Sequence, residues 1–157
     1  MTDDIKIVTA LNIYSDMCDV LDENGFVYDK DDDKLRVELF VANTNNISIK
    51  FIMMINIEMQ TIMLTSPIDL KMSEDKQMEG ILSACIASNN LPDGSFDYDL
   101  PNRSVSFRLT FSYKGSLVGK GLFLRLICYS YSIVSKYVVK FSDINKGILS
   151  IDKFYED

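Results

Sequence analysis

The stretch SNNLPDGSFDYDLPN, residues 88–102, decides the fold. Three aspartates and a glycine lie here between apolar runs, which leaves three readings: a metal loop, a catalytic loop, or a turn that starts a hairpin. The turn fits the chemistry. Asn89 and Asn90 end a helix, and Pro92-Asp93-Gly94 is a turn triplet, because proline presets one dihedral and glycine accepts a positive one. SFDYDL (95–100) then alternates, with Phe96, Tyr98 and Leu100 on one face. After a turn at PNR (101–103), SVSFRLTFSY (104–113) sets Val105, Phe107, Leu109, Phe111 and Tyr113 against Ser104, Ser106, Arg108, Thr110 and Ser112. Strict alternation of this kind predicts an antiparallel hairpin with one wet face.

The pattern extends outward on both sides. Residues 3–23 predict a helix, begun by Thr2 or Asp3 and ended by Asn24-Gly25, with Ile7, Leu11, Tyr14, Cys18 and Leu21 as its apolar face. Strands follow at FVYDK (26–30), LRVELFVA (35–42), ISIKFIMMI (47–55) and MQTIMLT (59–65), with NTNN (43–46) as a loop and Pro67 closing the run. A second helix is predicted over 74–89, with Ser73 as cap and Met78, Ile81, Leu82, Cys85, Ile86 and Asn89 facing the core. A third covers 117–141 with Leu122, Leu126, Ile133 and Tyr137 among its buried positions, and Ser142 is placed to cap a short last helix that Gly147 interrupts. The expected fold is one α+β domain over residues 1–157, an antiparallel sheet with helices packed on one face, in the order α-β-β-β-β-α-β-β-α.

Composition narrows the function. The chain has 157 residues, 47% of them apolar and 25% charged, which suits a globular domain with a real core. Its net charge of −7 argues against nucleic acid and anionic membranes, both of which require a basic face. There is no histidine, so Ser-His-Asp and Cys-His arrangements are excluded. Cys18, Cys85 and Cys128 are odd in number and widely spaced, and they are expected to be reduced core residues of a cytoplasmic protein. The acidic start MTDDIKIVTA does not predict a signal peptide. Lys120, Arg125 and Lys136 interrupt the apolar run 117–141, so a core helix is expected there and not a membrane span.

Each motif that resembles a reactive site departs from its template. DKDDDK (29–34) alternates acids as a calcium loop does, but Lys34 and Phe40 stand where glycine and glutamate belong. Asp93, Asp97 and Asp99 lack a following bidentate glutamate. YKGSLVGKGL (113–122) sits between strand and helix, yet it is one residue short of a P-loop and has Gly121 in place of the magnesium hydroxyl. No catalytic residue, metal or cofactor is expected.

What remains is the sheet's outer face. Strand parity places Arg36, Glu38, Phe40 and Ala42 beside Ser48, Lys50, Ile52 and Met54, with Ile62 or Leu64 as additional members. Phe40, Ile52 and Met54 are apolar where polar residues are expected, as at an interface. Arg108 lies on the same face of the second hairpin, placed to orient an acidic group.

The residues ASNN at a helix end, GSFDYD and SVSFR on consecutive strands, and KY at 136–137 on the long helix resemble the YbjN family of bacterial sensory transduction regulators. The matching positions are Asn89, Gly94, Phe96, Asp99, Val105, Phe107 and Arg108. The resemblance implies a type III secretion chaperone-like fold and a cytoplasmic domain, often a homodimer, that binds other proteins, and it supplies no catalytic residue. This chain departs from the pattern in its Ile- and Met-rich first sheet half and in the tail DKFYED. The expectation is therefore a non-enzymatic, regulatory or chaperone-like protein-binding domain using Phe40, Ile52, Met54 and Arg108. The alternative is a small-ligand or nucleotide binder using the loop 114–121.

Overall fold

A computed structural model describes residues 2–42 and 47–156. The predicted loop at 43–46 lies outside the described residues. In chain order the elements are α1 (Asp3–Glu23), β1 (Tyr28–Asp31), β2 (Arg36–Ala42), β3 (Ser48–Asn56), β4 (Thr61–Lys71), a 3₁₀ turn (Glu74–Lys76), α2 (Gln77–Asn89), β5 (Ser95–Asp99), β6 (Ser104–Ser112), α3 (Gly121–Asn145) and α4 (Ile151–Phe154). The fold is α+β. Its six strands form one open antiparallel sheet in the order β1-β2-β3-β4-β6-β5. Val37, Phe51, Leu64 and Phe107 point to the inner face, where α1 meets β3 and α3 meets β3, β4 and β6.

The stretch 88–102 forms the expected turn and edge strand. Ser88 Oγ accepts the Phe96 amide at 2.8 Å and donates to the Ala84 carbonyl at 2.8 Å, fastening β5 to the end of α2. Phe96 enters the core, with its ring centroid 5.4 Å from Phe107, 5.1 Å from Tyr137 and 5.2 Å from Phe141. Phe154 of α4 stacks on Tyr137 and Phe141, and Lys140 holds that terminal turn by donating to the Phe154 and Glu156 carbonyls. Leu100 lies beyond the end of β5 and is exposed, contrary to the inward placement expected from alternation.

The helix boundaries follow their local chemistry. Gly25 (φ +72°) ends α1, with its own amide bonded to the Asp22 carbonyl and that of Phe26 to the Leu21 carbonyl. Helix α3 starts at Gly121, not 117, because Leu117 belongs to the exposed loop after β6. It ends at Asn145, not 141, because Phe141 and Ile144 are both buried. Ser142 therefore lies inside α3, and Ser150 occupies the position before α4.

Both shorter-range helix faces differ from the expectation. On α1 the buried residues are Ala10, Ile13, Tyr14, Met17, Val20 and Leu21, whereas Ile7 and Leu11 are exposed and Cys18 is half-buried. Ile5, Ile7, Val8 and Leu11 make the first half of α1 apolar around most of its circumference, so periodicity alone does not select the face. On α2 the buried residues are Gly80, Ser83, Ala84, Ile86 and Ala87, while Met78, Leu82, Cys85 and Asn89 are exposed. Small residues win there because the approach is close: a Cβ on Gly80 would lie 3.0 Å from side-chain atoms of Met72 and Tyr98.

Strand β4 does not stop at Pro67 but runs through it to Lys71. Its pairing with β3, however, ends at Ile52↔Thr65, while its pairing with β6 continues to Lys71↔Ser104. The cause is the proline. Gln60 gives its carbonyl to Tyr113 on the β6 side, so odd-numbered residues of β4 direct their backbone groups at β3. Pro67 is odd-numbered and has no N–H to donate, so the ladder breaks there and the sheet parts between the first half of β3 and the second half of β4.

Helix α3 is long and apolar enough to cross a membrane by length and composition alone. Here its stripe of Phe123, Leu126, Ile127, Ser130, Val134, Tyr137, Phe141 and Ile144 is buried, while Arg125, Cys128 and Lys136 are exposed.

Gly94 has φ +79°, and a Cβ there would meet Phe107 Cζ at 2.7 Å and the Arg108 carbonyl oxygen at 3.0 Å. Gly94→Ala is expected to lower stability by about 2–4 kcal/mol, measured by urea unfolding. Hydrogen bonds from the Asn102 side chain, and then from its backbone, hold Asp99 below the ordinary carboxylate range. A carboxylate whose folded pKa is depressed stabilises the fold above its unfolded value and loses that contribution as pH falls through the folded value. Asn102→Ala is therefore expected to raise the Asp99 midpoint partway toward the usual value of about 3.9, read by NMR titration.

Candidate interaction surface

Strand register assembles the outer face in rows. In one, Arg36 stands opposite Met54, Met54 opposite Met63, and Met63 opposite Thr110. In the next, Glu38 stands opposite Ile52, Ile52 opposite Thr65, and Thr65 opposite Arg108. Phe40 stands opposite Lys50, diagonal to Ile52. Phe40, Ile52 and Met54 thus share one face, as their parity predicted. Phe40 is 64% exposed, and Ile52 and Met54 are half-buried beside half-buried Met63.

Ile62 and Leu64 do not join this patch. Both are fully buried on the inner face, and Met63 takes the outer place between Thr61 and Thr65. The reason is pleat parity: a one-residue choice of register exchanges the two faces of a strand. In TIMLT every central residue is apolar, so only the cross-strand register with β3 assigns the methionine outward.

Charge flanks the apolar centre on the β2 side. Glu38 pairs with Arg36 on its own strand and lies 3.6 Å from Lys50 Nζ across the sheet. Arg108 is on this face as expected, but Asp97 already holds its guanidinium through Nε at 2.8 Å and Nη2 at 3.3 Å. Its planar fork is therefore used within the chain to fix the edge strand β5 to β6.

The loop 114–121 presents a different electrostatic picture from a phosphate cradle. Lys120 Nζ lies 3.2 Å from Asp19 and 3.7 Å from Glu23 of α1. The hydrogen bond to Asp19, together with the neighbouring acids, holds the Lys120 ammonium above its ordinary pKa, so the cation serves two carboxylates. An added anion at this helix start would meet those acids as well.

The turn 31–34 is tied down by Tyr14, whose hydroxyl donates to Asp32 at 2.8 Å, and by the Lys34 amide on Asp31. Burial, and then the bond to Asp32, keeps the Tyr14 phenol well above its ordinary range. Among the described residues no three Cys, Asp or Glu side chains converge in a way that could hold a metal ion.

The cysteines depart from the expected core placement: Cys85 and Cys128 are exposed and Cys18 is half-buried. Burial pushes the Cys18 thiol up, which disfavours the reactive thiolate. Two thiols are expected to react rapidly with Ellman's reagent at pH 8 and Cys18 to react much more slowly until the protein is unfolded. Equal rates for all three would contradict this arrangement.

No family model, no curated protein and no solved structure matches this chain.

Proposed function

We propose that this chain is a non-enzymatic, protein-binding domain of regulatory or chaperone-like type, and that it docks partners on the outer sheet face around Phe40, Ile52, Met54 and Met63. The observation that carries this reading is the register. Met54 and Met63 are directly opposed, with Ile52 beside them and Phe40 diagonal, which sets an apolar surface beside the Arg36–Glu38–Lys50 ion-pair cluster. An apolar centre with a charged rim is the usual anatomy of a protein interface. The resemblance to the YbjN regulators, with their type III secretion chaperone-like fold, supports the same reading and a cytoplasmic setting. A second copy of the chain is the first partner proposed, since two-fold homodimers are the commonest assemblies and a flat face pairs readily with itself.

Light scattering after size exclusion, over a range of concentrations, tests this. The expected result is a concentration-dependent dimer that Met54→Asp converts to a monomer with an unchanged far-UV circular dichroism spectrum. Truncating one such anchor, Phe40→Ala, should weaken association by about 2 kcal/mol, or roughly thirtyfold. A wild-type dimer whose mass neither substitution alters would show that this face is not the interface.

A further inference from the structure

The fold sorts the described methionines into three settings. Met17, Met53 and Met72 have no exposed surface. Met59, in the turn between β3 and β4, and Met78 of α2 are 69% and 64% exposed. Met54 and Met63 stand between these extremes. They are half-buried, directly opposed across β3 and β4, and central to the outer patch. Strand alternation turns Met53 inward and Met54 outward, so neighbours with the same side chain differ wholly in access.

Access decides which sulfurs an oxidant meets. Hydrogen peroxide, the simplest hydroperoxide, gives one oxygen to a thioether. Its O–O bond breaks, an S–O bond forms, the sulfur loses two electrons, and the peroxide leaves as water. The product is a polar sulfoxide, which enzymatic reduction returns to the thioether. At Met59 and Met78 the new dipole stays in water and costs little. At Met54 and Met63 it must give up that water whenever the face is covered. Arg36, the residue opposite Met54, is already held by Glu38. The buried methionines are out of reach, so the fold survives the same exposure.

We infer that Met54 and Met63 form a peroxide-sensitive switch: their oxidation to sulfoxides releases the partner held at the outer face, and their reduction restores binding. This rests on the outer-face reading above and adds its regulation.

The intact chain is treated with hydrogen peroxide, quenched, and returned to dithiothreitol. The thiol restores exposed Cys85 and Cys128 but leaves sulfoxides in place. Peptide mass mapping is expected to find one added oxygen on each of Met54, Met59, Met63 and Met78, and none on Met17, Met53 or Met72. Oxidation at Met54 and Met63 should slow as protein concentration rises, because association covers them, whereas that at Met78 should not. Light scattering should show self-association weakened about tenfold or more by each sulfoxide, with an unchanged far-UV circular dichroism spectrum. Methionine sulfoxide reductases of both stereospecificities should restore the dimer. Met54→Leu with Met63→Leu keeps the apolar volume, and this variant should associate and resist peroxide. Met59→Leu with Met78→Leu should stay sensitive. A chain that is monomeric before oxidation removes the outer-face reading and this inference together. A dimer that persists with Met54 and Met63 oxidised, or a Met54→Leu, Met63→Leu variant that peroxide still disperses, overturns the switch alone.

Discussion

The Phe96 ring is the constraint on which the layers depend. It sits on an edge strand, which has hydrogen-bond partners on one side only, and touches β6 through Phe107 and α3 through Tyr137 and Phe141. Tilted and edge-to-face rings at these separations add specific energy to the area they bury. Helix α4 then closes over the same cluster through Phe154. The Ser88 hydroxyl fixes the approach of β5 from the other side, joining α2 to the Phe96 backbone. The turn at Pro92–Gly94 matters because it delivers this ring, and Gly94 is there because Phe107 leaves no room for a side chain.

How far the structure was legible in the chain depends on contrast between faces. SVSFRLTFSY separates apolar from polar at every step, so β6 and the hairpin before it were readable outright. The outward placement of Phe40, Ile52 and Met54 followed from the same arithmetic. Where contrast fades, the reading slipped. TIMLT is apolar on both faces, and Ile62, Leu64 and Met63 exchanged roles. Helix α1 is apolar around its first turns, and α2 packs through Gly80, Ala84 and Ala87, whose small side chains carry little hydrophobic signal. A close helix contact selects against bulk, which a search for large apolar residues cannot detect.

The candidate sites divide in the same way. The outer patch was accessible to pattern reasoning because it is an exception within one strand face. Arg108 could be placed on that face, but not its engagement by Asp97, which depends on how the edge strand β5 and its neighbour β6 twist together. The parting of β3 from the second half of β4 was hidden altogether. Pro67 read as the end of a strand, whereas in three dimensions it ends only one of that strand's two ladders. The methionines have a physical consequence of their own: the proposed interface, centred on Met54 and Met63, would be deformable, because unbranched thioethers repack at little cost. It therefore suits partners that differ in shape.

The acids of the two edge strands have one more consequence. Asp29 and Asp31 lie on β1 and Asp97 and Asp99 on β5, so both unpaired borders of the sheet carry carboxylates. Charges on open borders repel the strand of another molecule and block end-to-end fibre growth. With a net charge of −7 the same acids keep molecules apart in solution at neutral pH. Charge at both borders thus guards the chain against amyloid-like stacking, over and above the cover that its helices give the inner face.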